Sequence, residues 1–263
     1  MISILKIKAK IKSFITNPYS NKGNKELLTL FSHFSDCIIL GSSPSINELE
    51  LSNLSKNTMV ITMGNFHEHP AINAIKPSIH VFAASHPPIT EKVLVNWWFR
   101  CNEVLPLGTP VLVEKRDKEI ATRVFTERKV FTYSYGGDFP IDFTKPIISP
   151  WSVTIVGLQL AIYVKVPEIY LMGINHDWQC IKPYLHFYDH NAPSLEYYLK
   201  NEGVKIPYEK QQQPFPKERL YREYELYQQY ETLKLYAEKR HQKIYNGDKN
   251  SDFDVFKHVN YTI

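Results

Sequence analysis

The sequence predicts an α/β protein built on a doubly wound, mostly parallel, Rossmann-like sheet in a single domain. Short apolar runs recur along the chain and stop at small polar turns, which is typical of buried parallel strands. Segments with helical periodicity alternate with these runs, as in repeated strand–turn–helix units. The chain has 263 residues, of which 43% are hydrophobic. That is enough apolar surface to bury the core of one large domain.

Five runs are predicted to be strands, and four of them end in residues suited to a tight turn. Residues 36–40 stop at Gly-Ser-Ser-Pro-Ser, residues 58–63 at Gly-Asn, and residues 79–84 at Ser-His-Pro-Pro. Residues 110–113 are the fourth candidate, and residues 168–172 are the fifth, which stops at Gly-Ile-Asn. The chain contains only 10 glycines, so their positions after strands are informative.

Two helices complete the predicted framework. Residues 152–165 are apolar almost all round, as expected of a helix buried at the centre of the fold. Residues 217–241 form the longest helical pattern and are predicted to be a C-terminal helix. Its apolar stripe consists of Leu226, Tyr230, Leu233 and Ala237.

The first segment, residues 1–24, is predicted to be a basic amphipathic helix followed by a turn-rich linker, with the α/β domain at residues 25–263. Lysines interrupt the apolar run at residues 2–15, unlike in a secretory signal. Such a helix can lie on an anionic membrane surface, or it can pack on the protein's own body. The apolar stripe of this helix is Ile4, Ile7, Ile11, Phe14 and Ile15.

Composition excludes several classes of protein. No apolar run reaches the roughly 20 residues that span a bilayer. The cysteines, Cys37, Cys101 and Cys180, are too few and scattered for a disulfide framework, which favours a reducing compartment and a cytoplasmic protein. The net charge of +4 does not indicate a nucleic-acid partner. A homo-oligomer is compatible with the sequence.

The predicted fold alone indicates where a ligand site should lie, because open α/β sheets bind ligands beyond the carboxyl ends of their strands. The turn after the first strand offers backbone N–H groups that suit a phosphate, and Gly41 would let a ligand approach the backbone. The turn lacks the Walker A and GxGxxG patterns. Asn65 could bind a base or a sugar. In the simpler alternative, Ser45 is an N-cap and Asn65 a turn residue. The turn comprises Gly41, Ser42, Ser43, Pro44 and Ser45.

A second group of polar residues follows the strand at residues 168–172. Histidine can act as a general base near neutral pH, and a carboxylate can orient it. His186 is therefore the predicted base, oriented by Asp177 or Asp189, with His176 in reserve and Tyr188 beside it. In the alternative, His186 is a half-buried member of an aromatic cluster.

We expect no metal and no cofactor, because the histidines lack the HExxH or HxxxH spacing of a zinc site. The stretch His67-Glu68-His69 is interpreted as surface polar sequence. The stretch Asp252-Phe253-Asp254 is interpreted as a structural turn rather than a cation-binding motif.

These residues give the chain a resemblance to a known group. It resembles the bacterial sialyltransferases of glycosyltransferase family 42 and related bacterial polysaccharide proteins similar to archaeal 6-hydroxymethylpterin diphosphokinase. The resemblance rests on the Ile38–Ser45 segment, on Asn65, on residues 152–175 and on a C-terminal strand and turn at residues 244–256. It covers roughly residues 35–261.

The resemblance implies a variant GT-A fold and a metal-independent, inverting transfer from a CMP-activated sugar. The turn after the first strand and Asn65 would contact the nucleotide, and Ser85 would lie near the donor. Two departures weaken the match: Asn175 replaces an aspartate, and the family's lid histidine has no clear counterpart in the region around Tyr221 and Tyr224. The other implied donor residues are Ser152 and Thr154 at the sugar or phosphate, and Gly173, Ile174 and Asn175 at the cytidine.

Three functions follow from the sequence. The leading hypothesis is a glycosyltransferase, peripheral on the inner membrane, that moves sialic acid or a related acidic sugar onto a saccharide or glycolipid acceptor in surface polysaccharide synthesis. The alternatives are a diphosphokinase-like enzyme that uses ATP and a noncatalytic nucleotide-binding scaffold. Replacement of His186 separates an enzyme from a scaffold.

Overall fold

One sheet of eight parallel strands forms the centre of the fold, in the order β5-β4-β3-β2-β1-β6-β7-β8. The computed structural model describes residues 21–51, 53–176, 186–188, 193–204, 216–248 and 251–261. The strands are β1 Asp36–Leu40, β2 Thr58–Met63, β3 Ile79–Val81, β4 Val111–Glu114, β5 Val130–Tyr133, β6 Glu168–Met172, β7 Lys243–Asn246 and β8 Lys257–His258.

Helices cover both faces of the sheet, so the fold is doubly wound as predicted. One core joins a sheet face to α1, α5 and α7, and the second core joins the other face to α3 and α4. The helices are α1 Lys25–Phe31, α2 Ile72–Ile75, α3 Glu91–Val104, α4 Lys118–Val124, α5 Val153–Tyr163, α6 Leu195–Asn201 and α7 Pro216–Glu238.

The order of the strands places a topological switch point between β1 and β6. From β1 the chain winds outward through β2, β3, β4 and β5, and it then returns to add β6, β7 and β8 on the other side. Both neighbours of β1 run parallel to it, so the carboxyl ends of β2, β1 and β6 lie side by side. A crevice at such a point is the usual ligand site of this architecture.

Helix α5 points its N-terminus toward this edge of the sheet. The helix is buried from Thr154 to its last residue, as its uniformly apolar sequence predicts. It packs across β1, β2 and β3, and Gly157 lies against the side chains of Ile61 and Ile39 in the sheet. The Thr154 hydroxyl contacts the sulfur of Met63, the last residue of β2. The start of α5 therefore lies above the strand ends.

The described part of the predicted linker belongs to the domain. Asn24 is buried, and its side-chain amide donates to the carbonyl oxygens of Thr132 and Phe143 at 2.7 and 2.8 Å. The domain therefore begins no later than Asn21. The predicted amphipathic helix at residues 2–15 lies outside the described residues. Within the described chain, no helix combines the length and apolar character required to cross a bilayer.

Candidate active site

Two glycines join the turns that follow β1 and β6. The Gly41 N–H donates to the Met172 carbonyl at 2.7 Å, and the Ser43 N–H donates to the Gly173 carbonyl at 2.9 Å. A Cβ on Gly41 would lie 2.3 Å from the Gly173 oxygen, and Gly173 itself has a φ of +67°. The sequence suggested that Gly41 leaves room for a ligand. The structure shows that this explanation is wrong, because the backbone of Gly173 occupies the space beside Gly41.

Side chains of the same two turns extend the contact. The Asn175 N–H donates to the Ser43 hydroxyl, and the Ser45 hydroxyl donates to the Asn175 side-chain oxygen, both at 3.3 Å. Ser43 and Ile174 are buried, whereas Ser42 and Ser45 are half-buried and Pro44 is exposed. The crevice therefore presents Ser42, Pro44, Ser45 and Asn175 to a ligand.

The segment at residues 186–188 lies on the turn after β1. The Phe187 N–H donates to the Ser42 carbonyl at 3.0 Å, and the Phe187 ring meets the edge of the Phe66 ring. The imidazole of His186 stacks on the ring of Tyr188, with 4.8 Å between centroids. The structure thus brings His186 and Tyr188 to the candidate site. Asp177 and Asp189 lie outside the described residues.

His176 is poorly placed for the role of reserve base. It is buried, its Nε2 forms a hydrogen bond of 2.8 Å with the Tyr230 hydroxyl, and its ring meets the edge of the Phe253 ring. Burial lowers the pKa of His176 to about 4, so the imidazole is neutral and enclosed at neutral pH. These contacts indicate a core residue that joins the turn after β6 to α7.

Asn65 and Ser85 both make hydrogen bonds within the protein. The side-chain oxygen of Asn65 accepts from the indole N–H of Trp97, and its amide donates to the Pro193 carbonyl at 3.5 Å. The backbone N–H and the hydroxyl of Ser85 both donate to the buried carboxylate of Asp117. To bind a ligand through these groups, either residue would first have to break a hydrogen bond within the protein.

A cavity of about 330 Å³ opens beside the N-terminus of α5. Its rim carries two exposed aromatic side chains, Tyr135 and Trp151, and such rings can stack on the apolar face of a sugar. The hydroxyl oxygen of Ser152 is buried and forms no hydrogen bond with any described group. The lining residues include Ala83, His86, Tyr133, Tyr135, Trp151 and Ser152.

The prediction that His67 and His69 lie on the surface is wrong, because both are buried beneath aromatic neighbours. His67, His80 and Cys101 place nitrogen and sulfur atoms within 4.8 Å of one another. However, Nδ1 of His67 and Nε2 of His80 both bond to the Gly64 carbonyl, and Nδ1 of His80 bonds to the Thr62 hydroxyl. Both nitrogens of His80 are therefore occupied, which leaves this residue no free lone pair for a metal, whereas Nε2 of His67 is buried and forms no hydrogen bond with any described group.

The interpretation of residues 252–254 as a structural turn agrees with their burial. Asp252 and Asp254 are exposed, whereas Phe253 between them is fully buried. The two carboxylates therefore point away from the core, into which Phe253 is packed.

Sequence reasoning missed two residues that support the site. Asp248, directly after β7, is buried, and its Oδ2 accepts from the Ile174 N–H at 3.1 Å. Gln229 on α7 accepts from the Trp151 N–H at 2.9 Å and donates to the Ser149 carbonyl at 2.7 Å. The sequence contains a pattern that could have identified Asp248. The apolar residues of β7 give way to Asn-Gly-Asp, the same change to small polar residues that follows β1, β2 and β6.

The fold and the crevice define an α/β protein of the doubly wound class with a crevice at its switch point. Comparison with solved structures finds the sialyltransferase CST-II of Campylobacter jejuni in complex with CMP, with a TM-score of 0.51 and 16% sequence identity over 88% of this chain and 89% of that chain. It also finds the monofunctional alpha-2,3-sialyltransferase Cst-I of the same organism, with a TM-score of 0.51 and 15% identity over 94% and 86% of the chains. No family model and no curated protein matches the chain. The predicted fold class is confirmed.

Proposed function

We propose that this protein is a glycosyltransferase that transfers sialic acid or a related acidic sugar from a CMP-activated donor to a saccharide or glycolipid acceptor. The observation that carries the proposal is the switch-point crevice, where the turns after β1 and β6 meet through Gly41 and Gly173. The fold shared with two sialyltransferases, one of them in complex with CMP, supports a cytidine nucleotide as the leaving group. The aromatic rim of the cavity beside α5 supports a sugar substrate.

The donor phosphate would lie between the crevice and the start of α5. The first N–H groups of an α-helix have no partner within the helix, and its dipole favours negative charge at this end. The buried hydroxyl of Ser152 adds a further donor at the same place. These preorganised dipoles would stabilise the charge that develops on the phosphate as the bond to the sugar breaks.

His186 remains the proposed general base. In the transfer, the acceptor hydroxyl gives its proton to the imidazole and its oxygen bonds to the anomeric carbon, while the electron pair of the old carbon–oxygen bond leaves with the phosphate. His186 lies on the turn after β1 through the bond between Phe187 and Ser42. The stacked ring of Tyr188 would hold the imidazole in place.

Nothing in the described chain favours the diphosphokinase alternative. Transfer of pyrophosphate from ATP requires carboxylates that hold Mg²⁺. Of the buried described carboxylates at this edge of the sheet, Glu114 pairs with Arg116, Asp117 bonds to Ser85, and Asp248 lies beneath the turn after β6.

Thermal unfolding with different nucleotides tests the proposed donor. We expect CMP at 100 times its dissociation constant to add about 2.7 kcal/mol of stability, which raises the melting temperature by roughly 5 °C or more. UDP, GDP and ATP should give smaller shifts, and cytidine serves as the control that lacks the phosphate. Absence of stabilisation by any cytidine nucleotide would refute the donor assignment.

Peripheral attachment to an anionic membrane through residues 2–15 is the second part of the proposal, and the lysine-rich amphipathic pattern supports it. The full chain should sediment with phosphatidylglycerol vesicles and not with phosphatidylcholine vesicles. Deletion of residues 1–16 should abolish sedimentation. A full-length control in which Lys6, Lys8, Lys10 and Lys12 are glutamine should lose most of it. A full chain that never sediments with anionic vesicles would contradict the attachment.

A further inference from the structure

We infer that Asp248 is a positioning residue that holds the turns after β1 and β6 in the arrangement that binds the donor nucleotide. This inference rests on the proposed function and extends it to a third strand end. Asp248 follows β7, the neighbour of β6 in the sheet. The site would then be built from three successive strand ends rather than from the two that meet at the switch point.

The backbone around Asp248 is fixed by hydrogen bonds. Its N–H donates to the side-chain oxygen of Asn246 at 2.9 Å, and its carbonyl bonds to Nδ1 of His258 at 3.2 Å. The amide of Asn246, itself fully buried, donates to the Phe253 carbonyl at 2.8 Å. A carboxylate on so constrained a backbone can fix the atoms that it contacts.

Close packing brings this backbone against β6. The N–H of Gly247 donates to the Leu171 carbonyl at 2.8 Å. A Cβ at Gly247 would lie 2.9 Å from the methyl carbon of Met172. The glycine therefore allows the end of β7 to approach the end of β6, and this approach carries Asp248 beneath the next turn.

The carboxylate lies against the turn after β6. Oδ2 accepts from the Ile174 N–H at 3.1 Å, and the side chain is only 2% exposed. Burial raises the pKa of the Asp248 carboxyl, while its hydrogen bond with the Ile174 N–H acts in the opposite direction. Ser45, from the turn after β1, bonds to Asn175, the residue after Ile174. Asp248 thus supports from below the turn to which the turn after β1 is bonded.

An ionised carboxylate suits this position because it only accepts hydrogen bonds. An amide of the same size keeps one acceptor and places an NH₂ group against an N–H or a hydroxyl. The replacement Asp248→Asn therefore changes the interaction with the turns while it preserves the volume of the side chain. Because it also removes a buried charge, we expect little change in the melting temperature of the unliganded protein.

The test is calorimetric titration of CMP into the full-length Asp248→Asn variant, with steady-state transfer kinetics alongside. We expect CMP affinity to fall by about tenfold or more, and the KM for the donor to rise by a similar factor with kcat nearly unchanged. The matched control is Asp254→Asn, an exposed aspartate of the same C-terminal segment, which should behave like the wild type.

Two further measurements keep the inference testable. Ser45→Ala should weaken CMP binding, and the double variant with Asp248→Asn should lose less than the sum of the two single effects, because both residues hold the turn after β6, Ser45 through Asn175 and Asp248 through Ile174. Additive losses, unchanged affinity in Asp248→Asn, or an equal loss in Asp254→Asn would overturn the inference. If Asp248→Asn does not fold, unchanged affinity in Ser45→Ala overturns it. Failure of the wild type to bind CMP would instead refute the proposed function.

Discussion

Replacement of His186 by alanine is expected to lower the rate of sugar transfer by a factor on the order of 10²–10⁴, the usual contribution of a general base. Donor affinity should change little, because the imidazole acts on the acceptor hydroxyl and not on the nucleotide. The measurement is kcat with a saccharide acceptor at saturating donor, together with calorimetry of CMP binding. A loss in kcat at constant affinity identifies an interaction made in the transition state.

Two other histidines provide the controls for this experiment. His33→Ala, at an exposed position between α1 and β1, should retain the wild-type rate. His176→Ala should lower stability instead, because it removes the bond to Tyr230 from a buried site. A wild-type rate in His186→Ala would move the role of base to another residue, with Tyr224 as the next candidate. A wild-type protein that binds CMP and transfers no sugar to any acceptor would favour the scaffold.

Replacement of Gly41 by alanine is expected to destabilise the fold by about 3 kcal/mol, the upper part of the range for overpacked sites. The added Cβ would lie 2.3 Å from the Gly173 oxygen and 2.5 Å from Cγ1 of Ile174. The first of these is a backbone atom, so the clash cannot be relieved by rotation of a side chain, and valine should be worse. Urea denaturation of the wild type and the variant measures the effect.

Gly64→Ala is the matched control for Gly41→Ala. Gly64 follows β2 at the same edge of the sheet with a φ of +56°, and a Cβ there would meet no atom within 4 Å. Its cost should therefore be limited to backbone strain, about 1 kcal/mol. Equal losses in the two variants would show that the contact with Gly173 contributes nothing. The geometry therefore predicts that a larger residue at position 41 disturbs the fold itself and not only the approach of a ligand.

The central strands could be predicted closely from the sequence. The bounds of β2 and β6 coincide with the predicted runs at residues 58–63 and 168–172. Their uninterrupted apolar residues, followed by glycine, leave little ambiguity in a sheet buried on both faces. The C-terminal helix was also predicted, and its stripe from Leu226 to Ala237 is buried.

Other elements gave weaker signals. The third strand ends at Val81 rather than at residue 84. The apolar run continues past Val81, but the pairing of β3 with its neighbouring strands stops there. Strand β8 comprises only Lys257–His258, both exposed, so no hydrophobic pattern marks it. Helix α3 was missed, although Val93, Leu94, Trp97, Trp98 and Cys101 form a buried face at helical spacing.

The candidate site was only partly predictable, because burial of polar groups depends on distant neighbours. The meeting of the turns after β1 and β6 followed from strand order, but Asp248 comes more than seventy residues after Ile174, its contact. His67 and His69 read as surface residues from their polarity, whereas rings from Phe66, Trp97 and Phe187 cover them. A local pattern carries no information about such contacts.

The contact between Gly41 and Gly173 consists of main-chain atoms alone. These atoms are present whatever side chains surround them, while Ser43, Ser45 and Asp248 add side-chain hydrogen bonds that brace the two turns. Substitutions of the exposed Pro44 or of the half-buried Ser42 and Asn175 would alter the lining of the crevice and leave this main-chain contact in place. Under the proposed function, single substitutions in this lining can change the preferred sugar, because the main-chain contact that sets the spacing of the two turns stays the same.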